Sequence, residues 1–164
     1  MPADLSALSN LVVLRLANNA LTSSLPTTFG TTPVLEQLYL QGNQFNGTLP
    51  SEWSALTSVR ELLLGNNQIS GTIPASWSGM VDLENLNLEF NQLVGVVPSS
   101  FTSLFAVNPS SKVFEINNNN LNRRVNPNHF ANLSPALESW FSTLNSTSSR
   151  NGQGDITVPI ITGT

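Results

Sequence analysis

The 164-residue chain contains no cysteine, and only 10% of its residues are charged, against about a quarter in ordinary globular domains. Without cysteine it can form no disulfide, no thiolate metal site and no thiol nucleophile. That leaves the compartment open, because an extracellular domain with a large enough core can do without disulfides. Positive charge is scarcest. A net charge of −4 with a single lysine, Lys112, offers no phosphate-binding face, which argues against nucleic-acid and anionic-membrane partners. No apolar run approaches the roughly 20 residues of a membrane-spanning helix. The opening stretch MPADLSALSN also lacks the apolar core of a signal peptide. These features fit either an intracellular protein or a mature or excised piece of an exported one.

Groups able to do chemistry are few. The one histidine, His129, has no second ligand or Ser/Asp partner nearby in sequence, and it adjoins the apolar Phe130. It is expected to have a packing or surface role. Glu61, Glu89 and Glu115 fall on successive predicted strands, without a pocket visible in the sequence to make them an acid–base pair. No phosphate-binding loop, zinc-ligand spacing or nucleophile elbow occurs. The chain therefore reads as non-enzymatic, without metal or cofactor.

What is present is a repeat, in a chain that is 40% hydrophobic and rich in Asn, Ser and Thr. GTLPSEWSAL at 47–56 returns as GTIPASWSGM at 71–80. The same step of 24 residues links Leu11, Leu35, Val59 and Leu83; Leu14, Leu38, Leu62 and Leu86; and Leu16, Leu40, Leu64 and Leu88. It also links Leu21, Phe45, Ile69 and Leu93, then Leu25, Leu49, Ile73 and Val97. Pro26, Pro50, Pro74 and Pro98 follow, with Phe29, Trp53, Trp77 and Phe101 three places on. A fifth unit follows a four-residue insertion in AVNPSSK, placing Phe114, Ile116, Leu121 and Val125 in register 28 residues on.

Alternating leucines define a short strand that points them inward. One such strand cannot bury its apolar side, so copies stack as a parallel sheet and close a shared core. Each buried leucine or isoleucine contributes about 1.5–3 kcal/mol relative to exposure. Asn19, Asn43, Asn67, Asn91 and Asn119 recur where the chain leaves the strand, and an amide carries both the donors and the acceptor such a turn needs. They are expected to form a structural ladder. Gly47 and Gly71 suit tight or positive-φ backbone, and the prolines fix an extended return. The aromatic column is expected to pack as a spine behind the sheet.

The pattern LxxLxLxxNxL extended by GxIPxxW/F resembles a leucine-rich repeat over roughly residues 5–133. Its Gly-Thr-Ile-Pro half is similar to the plant-type subclass. Tryptophan after the proline, as in GTLPSEW and GTIPASW, looks most like the repeats of kinetoplastid surface antigens and proteophosphoglycans. The repeats also resemble those of plant receptor ectodomains and polygalacturonase inhibitors. The expected fold is a leucine-rich repeat solenoid of about five coils. A short parallel sheet would line the concave face, with irregular or 3-10 segments on the convex one. A partial coil at 1–10 would precede coils starting near 11, 35, 59, 83 and 111. Residues 134–145 (Ser134 as N-cap, Pro135 first in the helix, then Leu137, Trp140, Phe141 and Leu144 at helical spacing) read as a capping helix or a degenerate sixth coil. Residues 146–164 read as a polar linker and extended tail.

In such solenoids the concave sheet is the usual binding surface. Its outward candidates here are Arg15, Gln37, Tyr39, Glu61, Leu63, Asn87, Glu89 and Glu115, with Tyr39 beside Leu63 as the expected anchor. The partner expected is a protein or glycan. Asn46, Asn132 and Asn145 begin sequons, which together with the resemblance point to an extracellular or cell-surface glycoprotein. Self-association through the solenoid ends as a coat or filament, enzyme inhibition and an intracellular scaffold stand as alternatives.

Overall fold

Leu14, Leu38, Leu62, Leu86 and Phe114 lie side by side across one parallel sheet. A computed structural model describes residues 7–95, 97–101, 103, 104, 113–116 and 119–121. Leu5, Val125, His129, Phe130, Asn132, the 134–145 segment, Asn145 and the tail lie outside the described residues.

Each coil opens with a three-residue strand: β1 (Val13–Arg15), β3 (Gln37–Tyr39), β5 (Glu61–Leu63), β7 (Asn85–Asn87) and β9 (Val113–Glu115). They pair in the order β1-β3-β5-β7-β9, and the partners are the residues one repeat apart. A second row of strands, not expected from the sequence, forms after the asparagine turn. β2 (Thr22–Ser24) pairs with β4 (Gln44–Asn46), while β6 (Ser70–Gly71), β8 (Gln92–Gly95) and β10 (Asn120–Leu121) form another sheet, joined to β4 by a Thr48–Ser70 bridge. Here the register is displaced: Ser23 faces Phe45 and Gly71 faces Leu93. The displacement is two residues, so it leaves every side chain on its own face. The short alternation around Asn19 or Asn43 is polar, which hid these strands from a hydrophobic pattern.

The return side carries 3-10 turns at Thr27–Thr31, Ser51–Ala55, Ala75–Gly79 and Ser99–Phe101, each just after its proline. Phe29, Trp53, Trp77 and Phe101 are buried there. Tryptophan does more than fill space. Trp53 Nε1 donates to the Pro26 carbonyl and Trp77 Nε1 to that of Pro50, both at 2.8 Å, so each indole ties its coil to the preceding one. The two indoles stack with centroids 6.0 Å apart and planes 7° apart, and Phe29 meets Trp53 edge-on at 5.7 Å. On the opposite side, strands sit about 4.8 Å apart. A stack deeper at the back than at the front bends toward the front, so the sheet is concave.

The asparagine ladder is present. Asn67 Nδ2 donates to the carbonyls of Leu64, Gly65 and, one coil back, Leu40; its Oδ1 accepts the Phe45 N–H. Asn43, Asn91 and Asn119 reach back in the same way, to Leu16, Leu64 and Leu88. Asn19 bonds only carbonyls of its own coil, those of Leu16 and Ala17. Two positions per coil take positive φ. One is held by Ser23 (φ 101°), where the later coils have glycine; Gly71 shows why, since a Cβ there would stand 2.9 Å from Thr48 Cγ2.

Candidate binding face

The sheet register sets the outward side chains in rows across the concave face. Val13, Gln37, Glu61, Asn85 and Val113 make one row, and Arg15, Tyr39, Leu63, Asn87 and Glu115 the next. Neighbours in a row stand on adjacent strands, within reach of one another's side chains.

Four of the expected residues form a closed circuit at the N-terminal end. Arg15 Nη2 donates to Gln37 Oε1 at 2.9 Å, and Gln37 Nε2 donates to Glu61 Oε1 at 3.0 Å. The Tyr39 hydroxyl donates to Glu61 Oε2 at 2.7 Å, and the Arg15 guanidinium carbon lies 5.2 Å from the Tyr39 ring centroid. The cation thus sits over the aromatic face that attracts it. Burial, and then the Glu61 carboxylate as acceptor and as charge, raise the Tyr39 pKa above 10.0, with Arg15 opposing them.

Asn87, Glu89 and Glu115 gather separately at the other end. Asn87 Nδ2 donates to Glu89 Oε1 at 3.2 Å and to Glu115 Oε2, while Asn87 Oδ1 accepts the Glu89 N–H. Gly65 makes this possible, because a Cβ there would stand 2.2 Å from Asn87 Oδ1. Leu63 lies between the two groups, partly buried, one strand from Tyr39 and one from Asn87. Among the described residues of this face, Arg15 is the one cation against the carboxylates Glu61, Glu89 and Glu115. Two buried oxygens here, Gln41 Oε1 and Asn85 Oδ1, have no hydrogen-bond partner among the described residues.

Phe90 escaped the sequence reading. It sits at the rim beside Glu89, 49% exposed, with φ 50°. Positive φ in an aromatic residue is an outlier worth roughly 1–3 kcal/mol of strain. The signal was legible in the column, where the equivalent residues are Asn18, Gly42 and Asn66. Among the described residues, no group of three or more His, Cys, Asp or Glu is placed to hold a metal ion. None of their helices is long and apolar enough to cross a membrane. Asn46 lies on β4, away from the concave rows, and is exposed.

The Leucine Rich Repeat family model matches residues 10–31, 34–56, 58–80 and 82–104. No curated protein matches the chain by sequence. Among solved structures, the chain is similar to the ectodomain of the plant membrane receptor kinase GASSHO1/SCHENGEN3 from Arabidopsis thaliana in complex with CASPARIAN STRIP INTEGRITY FACTOR 2. Identity is 28% and TM-score 0.69, over 74% of this chain and 14% of that one. It is similar to a TDR receptor at 34% identity and TM-score 0.67, over 74% of this chain and 20% of that one. It is also similar to the BIR3–SERK2 complex from Arabidopsis thaliana at 28% identity and TM-score 0.62, over 74% of this chain and 61% of the matched one. The chain spans less than two thirds of each of these. With more than half of its length matched by the family model and its strand leucines in register, the protein belongs to the leucine-rich repeat family.

Proposed function

We propose that the chain is a non-enzymatic recognition module of an extracellular or cell-surface protein, and that it binds a peptide or protein segment through its concave face. The observation that carries this reading is the division of that face. At one end the cation is already satisfied by Gln37 and Tyr39; at the other, Glu89 and Glu115 converge on a single amide, with no cation beside them among the described residues. A ligand bringing its own basic group over Asn87, and an apolar side chain against Leu63 and Tyr39, complements both ends. Support comes from the similar structures: one is in complex with CASPARIAN STRIP INTEGRITY FACTOR 2, and another is a complex of two proteins. The likeness of the tryptophan-bearing repeats to kinetoplastid surface antigens supports display at a surface.

The test is to pan a displayed random-peptide library against the full chain. Enriched peptides should carry Lys or Arg near an apolar residue. Tyr39→Ala and Leu63→Ser should each lower their affinity at least tenfold with little change in melting temperature. Equal binding by both variants sinks the reading, as does enrichment from a glycan array and not from the peptide library.

One observation favours a second reading, self-association through the solenoid end. Leu11, Leu14, Leu16 and Leu21 in the first coil are only partly buried, and the other edge of β1 has no partner strand among the described residues. Sedimentation showing only monomers at high concentration would remove it.

A further inference from the structure

The flank formed by β2, β4, β6 and β8 is exposed on β2, β4 and β8, partly buried on β6, and bears no charge along its outward positions. Thr22 and Ser24 on β2, Gln44 and Asn46 on β4, and Thr48 just beyond are all exposed. The asparagines differ in what their amides bond. Those of the ladder spend their amides on backbone groups, as Asn43 does. Asn46 faces outward, and among the described residues its amide has no hydrogen-bond partner. It is paired across the sheet with Ser24, and Thr48 is bridged to Ser70, so small hydroxyl side chains surround it.

Asn46-Gly47-Thr48 is a sequon, and the equivalent triplets, Thr22-Ser23-Ser24 and Ser70-Gly71-Thr72, are not. We propose that Asn46 is an N-linked glycosylation site, carrying a glycan that lies over this uncharged flank and leaves the concave face open. The proposal rests on the extracellular part of the reading above, because the modification needs a eukaryotic secretory route. In the transfer, Asn46 Nδ2 attacks the anomeric carbon of a lipid-pyrophosphate-linked oligosaccharide. The N–C bond forms and the C–O bond to pyrophosphate breaks. The lipid pyrophosphate leaves with the electron pair, and one amide proton is lost. The first sugar then meets Thr22 and Ser24, whose hydroxyls suit it as donors and acceptors, and Ser70, whose hydroxyl donates to the Gly47 carbonyl and is left to accept.

The experiment is to secrete the full chain from cultured plant cells behind an added export signal and map it by mass spectrometry. Trypsin, cutting after Arg15 and Arg60, separates Asn46 from Asn132 and Asn145. Peptide 16–60 should carry a hexosamine-based increment that peptide N-glycosidase removes completely, leaving aspartate at that position. Asn46→Gln and Thr48→Ala should each abolish the increment, and Thr48→Ser should keep it. Recovery of peptide 16–60 unmodified from the secreted protein overturns the proposal, whether or not peptide 125–150 is glycosylated. Library-peptide binding by Asn46→Gln should equal that of the parent. Absence of binding by both forms would overturn the recognition reading and leave this one standing, whereas binding by Asn46→Gln and not by the glycosylated parent would overturn the placement of the glycan away from the concave face.

Discussion

The first coil and the third fill the same leucine, asparagine and proline columns, yet they are held differently. Leu62 and Leu64 are fully buried between neighbours on both sides, whereas Leu14 and Leu16 are covered on one. Asn67 bonds backbone of two coils, Asn19 of one. Gly71 fits its left-handed turn; Ser23 is forced into the same one. The lesson is that a repeat residue takes its energetic weight from the coils flanking it and not from its own letter.

The widest gap should come from the leucine column. Leu62→Ala is expected to cost about 2–5 kcal/mol in urea unfolding, since it opens a cavity in a closed core. Leu14→Ala should cost about 1 kcal/mol, because only part of its surface leaves water on folding. Equal costs would break the comparison. The ladder comes next. Asn67→Ala leaves the Phe45 N–H unmet, while the Leu40 and Leu64 carbonyls keep Asn43 and Asn91 as donors, so a loss of about 1–3 kcal/mol is expected. Asn19→Ala should lose less than about 1 kcal/mol, water replacing its exposed bonds.

A smaller change should have the opposite sign. Ser23→Gly relieves a positive-φ residue and should raise stability by about 1 kcal/mol, while Gly71→Ser should lower it; thermal unfolding of the pair decides. The smallest effect concerns pH. Tyr39 is the sole tyrosine, so its phenolate absorbance reports on one site. Its folded pKa lies above the unfolded value of 10.0, chiefly through burial and then through Glu61. The folded state therefore holds this proton more tightly. That contribution is intact below pH 10.0 and is lost as pH rises through the higher folded value. The midpoint should stand above 10.0, fall part of the way back in Glu61→Gln, and rise further in Arg15→Ala.

The coil period, the inward leucines, the asparagine ladder and the aromatic spine were legible because each is a column that one physical demand fills four or more times. Tryptophan's tie to the preceding proline carbonyl was not, since Phe29 and Phe101 occupy the same column without it. The second row of strands was hidden by its polar composition and two-residue displacement. On the concave face, the row positions of Arg15, Tyr39 and Glu115 were readable from spacing alone. The circuit through Gln37 and Glu61 was not, because it depends on which rotamers meet between strands. Phe90 was overlooked because an exposed aromatic fits no apolar column, although its turn position gave it away.

The backward reach of the ladder asparagines gives the molecule a direction in time. Phe45 N–H is met only by Asn67, and Ile69 N–H only by Asn91, so the turn of each coil is finished by the coil after it. A ribosome delivers these units one by one, and each must wait about two dozen residues for its last acceptor to emerge. Any cut that separates a unit from its successor therefore wounds the earlier one, and only whole units can be added or removed without leaving such a wound.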